Sequence, residues 1–192
     1  MTDIPYAERG YRPCVGIFLL NDDRQLFAGR RIDNRAEAWQ MPQGGIDHGE
    51  TPIEACLREM EEEIGTKQAV LLQAHDDWLY YDIPQPLADR LWHGKYRGQK
   101  QKWMALQFTG SDADINIETA DPEFCEWRWV APHALIDLAV PFKRDVYATL
   151  MESFADLLKK HGVPKDLREA LRRSVKASAP AAKRKKKTAR RK

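Results

Sequence analysis

The sequence predicts an α/β domain in which a sheet of mixed strands is covered by helices on both sides. A capped amphipathic helix is predicted at 52–64, and strand patterns lie both before and after it. A second helix with an apolar stripe follows the last strand pattern, at 126–130. Because an apolar stripe on a helix has to be covered, helices that flank several strands favour a layered α/β fold.

Three strands are predicted before the first helix. The apolar run at 14–20 is bounded by a proline and by a polar turn, as expected of a buried strand. A second strand is predicted at 25–30, and a short one at 39–41 leads into a loop that begins with Gly44. The order strand, glycine loop, helix supports placing the carboxylates of that helix at the edge of the sheet.

Sequence signals define both ends of the first helix. Thr51 is predicted to be its N-cap, with Pro52 at the first helical position and Glu54 completing a capping box. Gly65 supplies the stop. Four apolar residues at helical spacing form a stripe for the sheet to cover, namely Ile53, Leu57, Met60 and Ile64.

After this helix the chain is predicted to return to strands, at 69–72, 78–81, 101–108 and 126–130. Residues 84–98 are rich in proline, glycine and charge, which predicts a long surface loop. The apolar stripe of the closing helix is formed by Val146, Leu150, Phe154 and Leu157. A Gly-Val-Pro sequence ends that helix, and a short basic helix is expected at 165–173.

The formal charge is divided unevenly along the 192 residues. Residues 174–192 contain nine Lys or Arg and no acid, which leaves 22 basic and 29 acidic residues, a charge of −7, for residues 1–173. We therefore expect one domain at 1–173 and a disordered basic tail at 174–192. The tail is either a solvated terminus or a segment that attracts RNA phosphates non-specifically.

Composition also excludes several classes of protein. No apolar run approaches the roughly 18 residues of a membrane helix, and the N-terminus lacks the basic and apolar regions of a signal peptide. The three cysteines are scattered and odd in number, with no spacing for zinc or for a disulfide framework. We expect a cytoplasmic protein with no membrane partner, and the sequence identifies no protein partner.

Three carboxylates project from one face of the first helix. Glu59, Glu62 and Glu63 are spaced i, i+3 and i+4, so their like charges repel one another. A solvated acidic face is one interpretation, since the positive charge of Arg58 can neutralise part of this negative charge. The other is a metal site, because clustered carboxylates offer the oxygen ligands that Mg²⁺ and Mn²⁺ prefer.

The loop before the helix favours the metal interpretation. Gly44, Gly45 and Gly49 are expected to allow unusual backbone angles and the close approach of a phosphate group. A glycine loop followed by a carboxylate helix therefore indicates metal-bound phosphate. The chemistry that suits such a site is hydrolysis of a phosphoanhydride.

The spacing of these residues resembles the signature of the Nudix hydrolases. Seven positions match the family pattern, namely Gly44, Glu50, Arg58, Glu59, Glu62, Glu63 and Gly65. Thr66 departs from it, because the family usually has an aliphatic residue there. The resemblance implies an α/β/α sandwich with a mixed sheet and a divalent cofactor, Mg²⁺ or Mn²⁺.

The resemblance also implies roles for individual residues. The three helix carboxylates would ligate the metal, while Glu50 and Arg58 would hold the loop and the helix together. The family usually contributes a further carboxylate from outside the motif. Glu123 is the candidate for that ligand or for a general base, and its simpler role is that of an exposed turn residue.

Most of residues 10–150 is similar to one group within the family, which contains RNA pyrophosphohydrolases and dinucleoside polyphosphate hydrolases. The similar segments are 10–13, 39–45, 98–103, 122–124, 127–129 and 142–147. The similarity implies hydrolysis of the 5′ triphosphate or diphosphate of RNA to a monophosphate, which initiates mRNA decay. The alternative partner is a dinucleoside polyphosphate of the diadenosine tetraphosphate type.

Positions matched to that group imply two sets of substrate contacts. Arg12 and Lys143 would contact the 5′ phosphates, with Tyr81 and Gln99 nearby. The set that would line a pocket for an unpaired base consists of Arg31, Val140 and Phe142. Arginine planes and aromatic rings stack on single-stranded bases, and lysine is a suitable point charge for phosphate.

Simpler interpretations exist for several of these residues. Phe142 could pack only as a staple at the entry of the closing helix, and Arg31 could be a surface charge. Lys100 and Lys102 are expected to belong to a solvated strand face. A non-catalytic RNA-binding module that relies on the basic tail is a third function hypothesis, which the intact carboxylate set opposes.

Overall fold

The computed structural model describes residues 4–33 and 38–159. Its strands are β1 (Gly10–Leu20), β2 (Leu26–Arg31), β3 (Trp39–Gln40), β4 (Gln43–Gly45), β5 (Ala69–Ala74), β6 (Leu79–Asp82), β7 (Tyr96–Phe108) and β8 (Phe124–Val130). Its α-helices are α1 (Pro52–Ile64), α2 (Gln85–Ala88), α3 (Pro132–Leu138), α4 (Arg144–Ser153) and α5 (Ala155–Leu158). Short 3₁₀ turns lie at Tyr6–Glu8, Leu91–Gly94, Asp112–Asp114 and Pro141–Lys143.

The eight strands form one mixed sheet. Its main path is β3-β2-β1-β7-β5, while β4 pairs with β1, β6 with β7 and β8 with β2. The long central pair, β1 and β7, is parallel, and the other pairs are antiparallel. β4 lies antiparallel to the middle of β1, opposite residues 14–16, so the glycine loop starts inside the sheet.

Helices cover both faces of this sheet, as its alternating side chains require. Ile17 and Leu19 of β1 belong to one buried cluster together with Met60 and Ile64 of α1. Phe18, between them, points to the opposite cluster, which contains the buried face of α4. Successive strand residues alternate between faces, so β1 supplies the floor of both cores. The predicted α/β/α layering and mixed sheet are confirmed.

The first helix has the predicted ends. Thr51 accepts a hydrogen bond from the Glu54 backbone and Glu54 reciprocates, while Gly65 adopts the left-handed conformation at φ 74°. The buried face differs from the prediction, because Ala55 and Cys56 are fully buried and Leu57 is only half-buried. The small residues allow α1 to lie close to β1 and β4.

The prediction of a long surface loop at 84–98 was wrong. This segment contains α2 and a 3₁₀ turn at Leu91–Gly94, and its last residues already belong to β7. Trp92 and His93 have positive φ angles of 48° and 57°, which local sequence patterns do not predict for such residues. The segment forms one wall of a cavity described below.

Other differences are smaller. The helix α3 was not predicted, β7 begins five residues earlier than the predicted strand, and the closing helix is divided at Phe154. Neither the expected basic helix at 165–173 nor the tail at 174–192 falls within the described residues. Within 4–33 and 38–159, no helix is long and apolar enough to cross a bilayer.

Candidate active site

Gly44 provides space for the first helix carboxylate. A Cβ atom on Gly44 would lie 1.8 to 2.1 Å from the carboxylate atoms of Glu59, so only glycine lets this side chain rest on β4. A Cβ on Gly45 would lie 2.3 Å from a guanidinium nitrogen of Arg12. The predicted role of these two glycines in unusual backbone angles was wrong, because positive φ in the loop occurs at Gly49 alone.

Arg58 joins the helix to the loop. It donates to both carboxylate oxygens of Glu50 at 2.9 and 2.8 Å, and to the Gly45 carbonyl at 2.8 Å. Its remaining nitrogen donates to Glu59 at 2.8 Å and to Glu62 at 2.9 Å. The hydrogen bonds from Arg58 lower the pKa of Glu50 below its ordinary value. The loop and two of the helix carboxylates are therefore held by one guanidinium.

Glu63 is buried and does not belong to a solvated acidic face. Its side chain is turned under β4 and is 2% exposed, with one oxygen accepting from the Gln43 backbone N–H at 3.2 Å. Within the described part of the chain, its buried Oε1 has no hydrogen-bond partner. Burial raises the pKa of Glu63 well above its ordinary value, and the nearby carboxylates of Glu123 and Glu59 raise it further.

Glu123 reaches this region from a distant part of the sequence. Its backbone carbonyl accepts from the Ile32 N–H at 3.0 Å, which fixes the turn before β8 against the end of β2. Its carboxylate accepts from Arg31 at 2.7 Å. It is close enough to Glu63 and Glu59 to raise the pKa of both, although burial is the larger cause for each.

The four carboxylates face one cavity of about 440 Å³, which we call the carboxylate cavity. Its lining residues are Glu59, Glu61, Glu62, Glu63, Thr119, Ala120, Asp121 and Glu123. Six of these residues are acids, and their carboxylate oxygens suit a hard divalent cation. The unpartnered Oε1 of Glu63 is a buried acceptor that such a cation would satisfy. The residues present therefore fit the metal that the motif implies.

The side chains are nevertheless not in ligating positions. Among residues 4–33 and 38–159, no three His, Cys, Asp or Glu side chains are grouped closely enough to hold a metal ion. The hydrogen bonds explain this arrangement, since Arg58 holds Glu59 and Glu62 while Arg31 holds Glu123. Metal binding would require these carboxylates to exchange part of their arginine contacts for the cation.

A second cavity of about 410 Å³, which we call the aromatic cavity, lies on the other side of Arg31. It is lined by Arg31, Asp33, Gln40, Gln43, Tyr81, Ile83, Leu87, Leu91, Trp92, Gln99, Val140, Phe142 and Lys143. Every predicted substrate residue except Arg12 is in this set. Phe142 stacks on Tyr81 with ring centroids 5.7 Å apart, so it is more than a helix staple.

Lys143 lies at the base of the aromatic cavity. Its ammonium donates to the side-chain oxygens of Gln40 at 2.7 Å and Gln43 at 2.9 Å, and the residue is 6% exposed. Burial lowers the pKa of Lys143 to about 7, and the positive charge of Arg31 acts in the same direction. Gln99 accepts from the Tyr81 hydroxyl at 2.7 Å, so polar groups here are fixed in position.

Arg12 is at the edge of this region rather than in the lining of the aromatic cavity. Its guanidinium lies 5.2 Å from the ring centroid of Trp92, which does line the cavity, and it approaches Gly45 on β4. It is therefore placed between the glycine loop and the aromatic cavity.

Sequence reasoning missed several residues of the site. Asp33 binds Arg31, Gln43 connects Glu63 with Lys143, and the apolar walls come from the misassigned segment at 84–98. The position of Gln43 between a proline and the two glycines was a usable signal. Nothing in the local pattern pointed to Leu87 or Leu91.

An acidic cavity beside a second cavity with a buried ammonium suits hydrolysis of a phosphoanhydride, because a divalent cation held by the carboxylates would polarise phosphate oxygens and activate water. The chain matches the NUDIX domain over residues 10–150 and belongs to the Nudix hydrolase family. Members of this family generally use divalent metal ions. The protein is thus an enzyme that hydrolyses phosphoanhydride bonds.

The chain is similar to proteins that are named RNA pyrophosphohydrolase, two of which are described here. The RNA pyrophosphohydrolase of Rhodospirillum rubrum is 57% identical over 145 residues, which cover 76% of this chain and 87% of the relative. That of Roseobacter denitrificans is 49% identical over 156 residues, 80% of this chain and 98% of the relative. The solved E. coli dihydroneopterin triphosphate pyrophosphohydrolase, at 19% identity and a TM-score of 0.57, covers 73% of this chain and 97% of its own, and supports the fold alone.

Gly44→Ala tests whether the position of the Glu59 carboxylate against β4 matters for the reaction. The added methyl group must displace the carboxylate of Glu59, a candidate metal ligand, and a misplacement of about 1 Å in an active site can cost roughly 100-fold in rate. We expect a loss of that order in turnover with little change in thermal stability, because the displaced group is the end of a flexible side chain. Steady-state kinetics and a melting curve measure both.

The matched control is Gly10→Ala, since a Cβ on Gly10 meets nothing within 4 Å. It should retain wild-type turnover. Full activity in Gly44→Ala would show that the position of Glu59 on β4 does not matter for the reaction.

Proposed function

We propose that the enzyme hydrolyses the 5′-terminal triphosphate or diphosphate of RNA and leaves a 5′ monophosphate, which opens the transcript to decay. The main support is the connection between the two cavities through Arg31. The Arg31 guanidinium donates to Glu123 of the carboxylate cavity and also lines the aromatic cavity. A substrate with phosphates at one end and an unpaired base beside them fits both cavities at once.

The charges in the two cavities suit that orientation. Arg12 and Lys143 contact the 5′ phosphates in this proposal, since both are cations that lie close to the glycine loop. Tyr81 and Phe142, with the plane of Arg31, provide surfaces on which a splayed base stacks. Val140 and Gln99 complete the pocket. A terminal phosphate would then point toward the carboxylate cavity.

The metal is Mg²⁺ in this proposal, with Mn²⁺ able to replace it. Glu59, Glu62 and Glu63 hold it, together with Glu123, which serves as a ligand or accepts the proton of the attacking water. When bound, the cation neutralises phosphate oxygens and lowers the pKa of that water. The buried and unpartnered Oε1 of Glu63 supports this assignment.

Two relatives named RNA pyrophosphohydrolase, with identities of 49% and 57%, also support RNA as the substrate. The place of action is then the cytoplasm, where transcripts are made. The basic segment 174–192 would add non-specific affinity for RNA phosphates, and deleting it should weaken RNA binding at low salt without removing hydrolysis.

The proposal is tested by two parallel substrates. Turnover of a 5′-triphosphorylated RNA is compared with turnover of diadenosine tetraphosphate at the same metal concentration. We expect the higher kcat/KM for RNA. An RNA strand can extend beyond the aromatic cavity, whereas a dinucleotide ends there. Efficient cleavage of the dinucleotide with the RNA left intact would replace the proposal with a dinucleoside polyphosphate hydrolase.

A further inference from the structure

A chain of buried amides lies behind the aromatic cavity. Gln40, Gln43 and Gln99 line the cavity, whereas Gln101 is outside its lining and is 1% exposed. On β7, Gln101 lies between Gln99 and the fully buried Trp103 at spacings of two residues, so the three side chains share one face of the strand. Any effect of Gln101 on the reaction must therefore be exerted through its neighbours.

The indole of Trp103 fixes the orientation of the Gln101 amide. The indole N–H donates to Oε1 of Gln101 at 3.0 Å. Because an indole nitrogen is a donor only, a reversed amide would oppose two donors at this contact. The indole itself is held against β1, where a Cβ on Gly16 would lie 2.4 Å from its ring atoms. The amide of Gln101 thus has one favourable orientation.

In that orientation, the amide nitrogen of Gln101 uses both of its donors. It donates to Oε1 of Gln43 at 3.0 Å and to Oε1 of Gln99 at 2.9 Å. The same oxygen of Gln43 accepts from the Lys143 ammonium at 2.9 Å. A reversed Gln43 amide would turn its own NH₂ group toward two groups that can only donate. Gln101 and Lys143 therefore require the same orientation of Gln43.

The orientation of Gln43 affects how Lys143 faces the cavity. An ammonium has three donors, and Lys143 directs two of them to the side-chain oxygens of Gln40 at 2.7 Å and Gln43 at 2.9 Å. Since the bonds of an ammonium are tetrahedral, these two contacts determine the direction of the third donor. Donors that are fixed before the substrate binds need no reorganisation when charge develops in the transition state.

We propose that Gln101 is a positioning residue for the reaction. Anchored by the Trp103 indole, it holds the Gln43 amide in the orientation that aims the Lys143 ammonium at a substrate phosphate. The inference rests on the proposed function, because Lys143 is the phosphate contact assigned there. It extends the site to a layer behind the aromatic cavity that touches no substrate.

The test is a double-mutant cycle between Gln101→Met and Lys143→Met, with kcat/KM measured on a 5′-triphosphorylated RNA. Methionine has about the length of glutamine and lacks its amide. In the wild-type background, Gln101→Met should lower kcat/KM about 2- to 10-fold, the loss expected for one neutral hydrogen bond. In the Lys143→Met background, the same change should have no further effect. An equal fold loss in both backgrounds, or no loss in the wild type, would overturn the proposal.

A matched control separates positioning from general damage to the strand. Gln107 is also a 1% exposed amide on β7, but it donates to the Leu20 carbonyl at 3.2 Å, at the far end of the strand. Gln107→Met should lower thermal stability by an amount similar to that of Gln101→Met and leave kcat/KM unchanged. A matching loss of kcat/KM in Gln107→Met would show that damage to β7 suffices, which overturns the proposal.

A second background distinguishes the two neighbours of Gln101. The Tyr81 hydroxyl donates to Gln99 at 2.7 Å and belongs to the branch that does not include Lys143. In Tyr81→Phe, the loss caused by Gln101→Met should therefore persist. Disappearance of the loss in Tyr81→Phe would assign the effect to Gln99 and contradict the route through Gln43.

Trp103→Phe is the second variant if Gln101→Met does not fold. It retains Gln101 and removes the indole N–H, so the amide is free to reverse. A loss of kcat/KM is expected in the same direction, and only when Lys143 is present. A loss that is equally large in the Lys143→Met background would overturn the proposal.

The outcome is separable from that of the proposed function. If the RNA is not hydrolysed, the proposed function fails, and the same cycle is measured on diadenosine tetraphosphate, which also presents phosphates to Lys143. Coupling between Gln101 and Lys143 on that substrate would support the positioning role. Independent effects of the two changes would overturn it.

Discussion

Glu63→Gln is expected to reduce turnover by about a thousandfold or more while the protein stays folded. The carboxylate of Glu63 is buried, and one of its oxygens has no hydrogen-bond partner among the described residues, so its charge is poorly compensated without a cation. Glutamine has the same shape but cannot provide that charge. Loss of several kcal/mol of metal-dependent stabilisation corresponds to a rate effect of roughly this size.

Thermal stability distinguishes this loss from unfolding. Without metal, we expect Glu63→Gln to melt no lower than the wild type, because a neutral amide removes the cost of burying a carboxylate. Added Mg²⁺ should raise the Tm of the wild type and not that of the variant. Glu152→Gln, an exposed change on α4, is the control and should behave as the wild type in both assays.

Lys143→Met is expected to weaken catalysis and to stabilise the fold. A hydrogen bond to a charged group contributes about 1.5 to 3 kcal/mol, so removing the proposed contact of Lys143 with phosphate should lower kcat/KM roughly 10- to 100-fold. The protein in turn no longer has to bury an ammonium that is 6% exposed. The two effects have opposite signs, which a simple packing defect would not produce.

The stabilisation by Lys143→Met should depend on pH. The folded pKa of Lys143 is about 7, below the ordinary value of 10.5, so the unfolded chain binds more protons between these two values. Wild-type stability should therefore rise with pH across that window relative to Lys143→Met. The advantage of the variant should be largest below pH 7 and should shrink toward pH 10.5.

Denaturant unfolding at several pH values measures this trend. Lys102→Met is the matched control, since that ammonium donates to the Asp76 carbonyl at the surface. It should change neither kcat/KM nor the pH trend. A Lys143→Met protein that is less stable than the wild type at pH 6 would contradict the burial of a charged lysine in this cavity.

The elements that the sequence predicted best are those fixed by local interactions. The helix α1 has its cap, its proline and its terminal glycine within the element itself, and the strand β1 is a continuous apolar run. The orientation of Glu63 was not predictable in this way, because its burial depends on the pairing of β4 with β1. Helical spacing placed Glu63 on a polar face but could not show that β4 covers it.

The aromatic cavity was less predictable for a similar reason. Its walls at α2 and at Leu91–Gly94 are short elements that form through contacts with β7 and not through periodicity. The positive φ angles of Trp92 and His93 depend on that tertiary setting. Lys143, Phe142 and Arg31 were found because the chain resembles a known group, whereas Asp33 lies outside the resemblance and was missed.

The most direct test of the account is analysis of the RNA ends after reaction. A 5′-triphosphorylated RNA is incubated with the full chain, with and without Mg²⁺, and with Glu63→Gln as the inactive control. We expect the wild type to convert the ends to 5′ monophosphate only when the metal is present, and the variant to leave them unchanged. RNA ends that remain triphosphorylated, in a preparation that hydrolyses another phosphoanhydride with Mg²⁺, would contradict it.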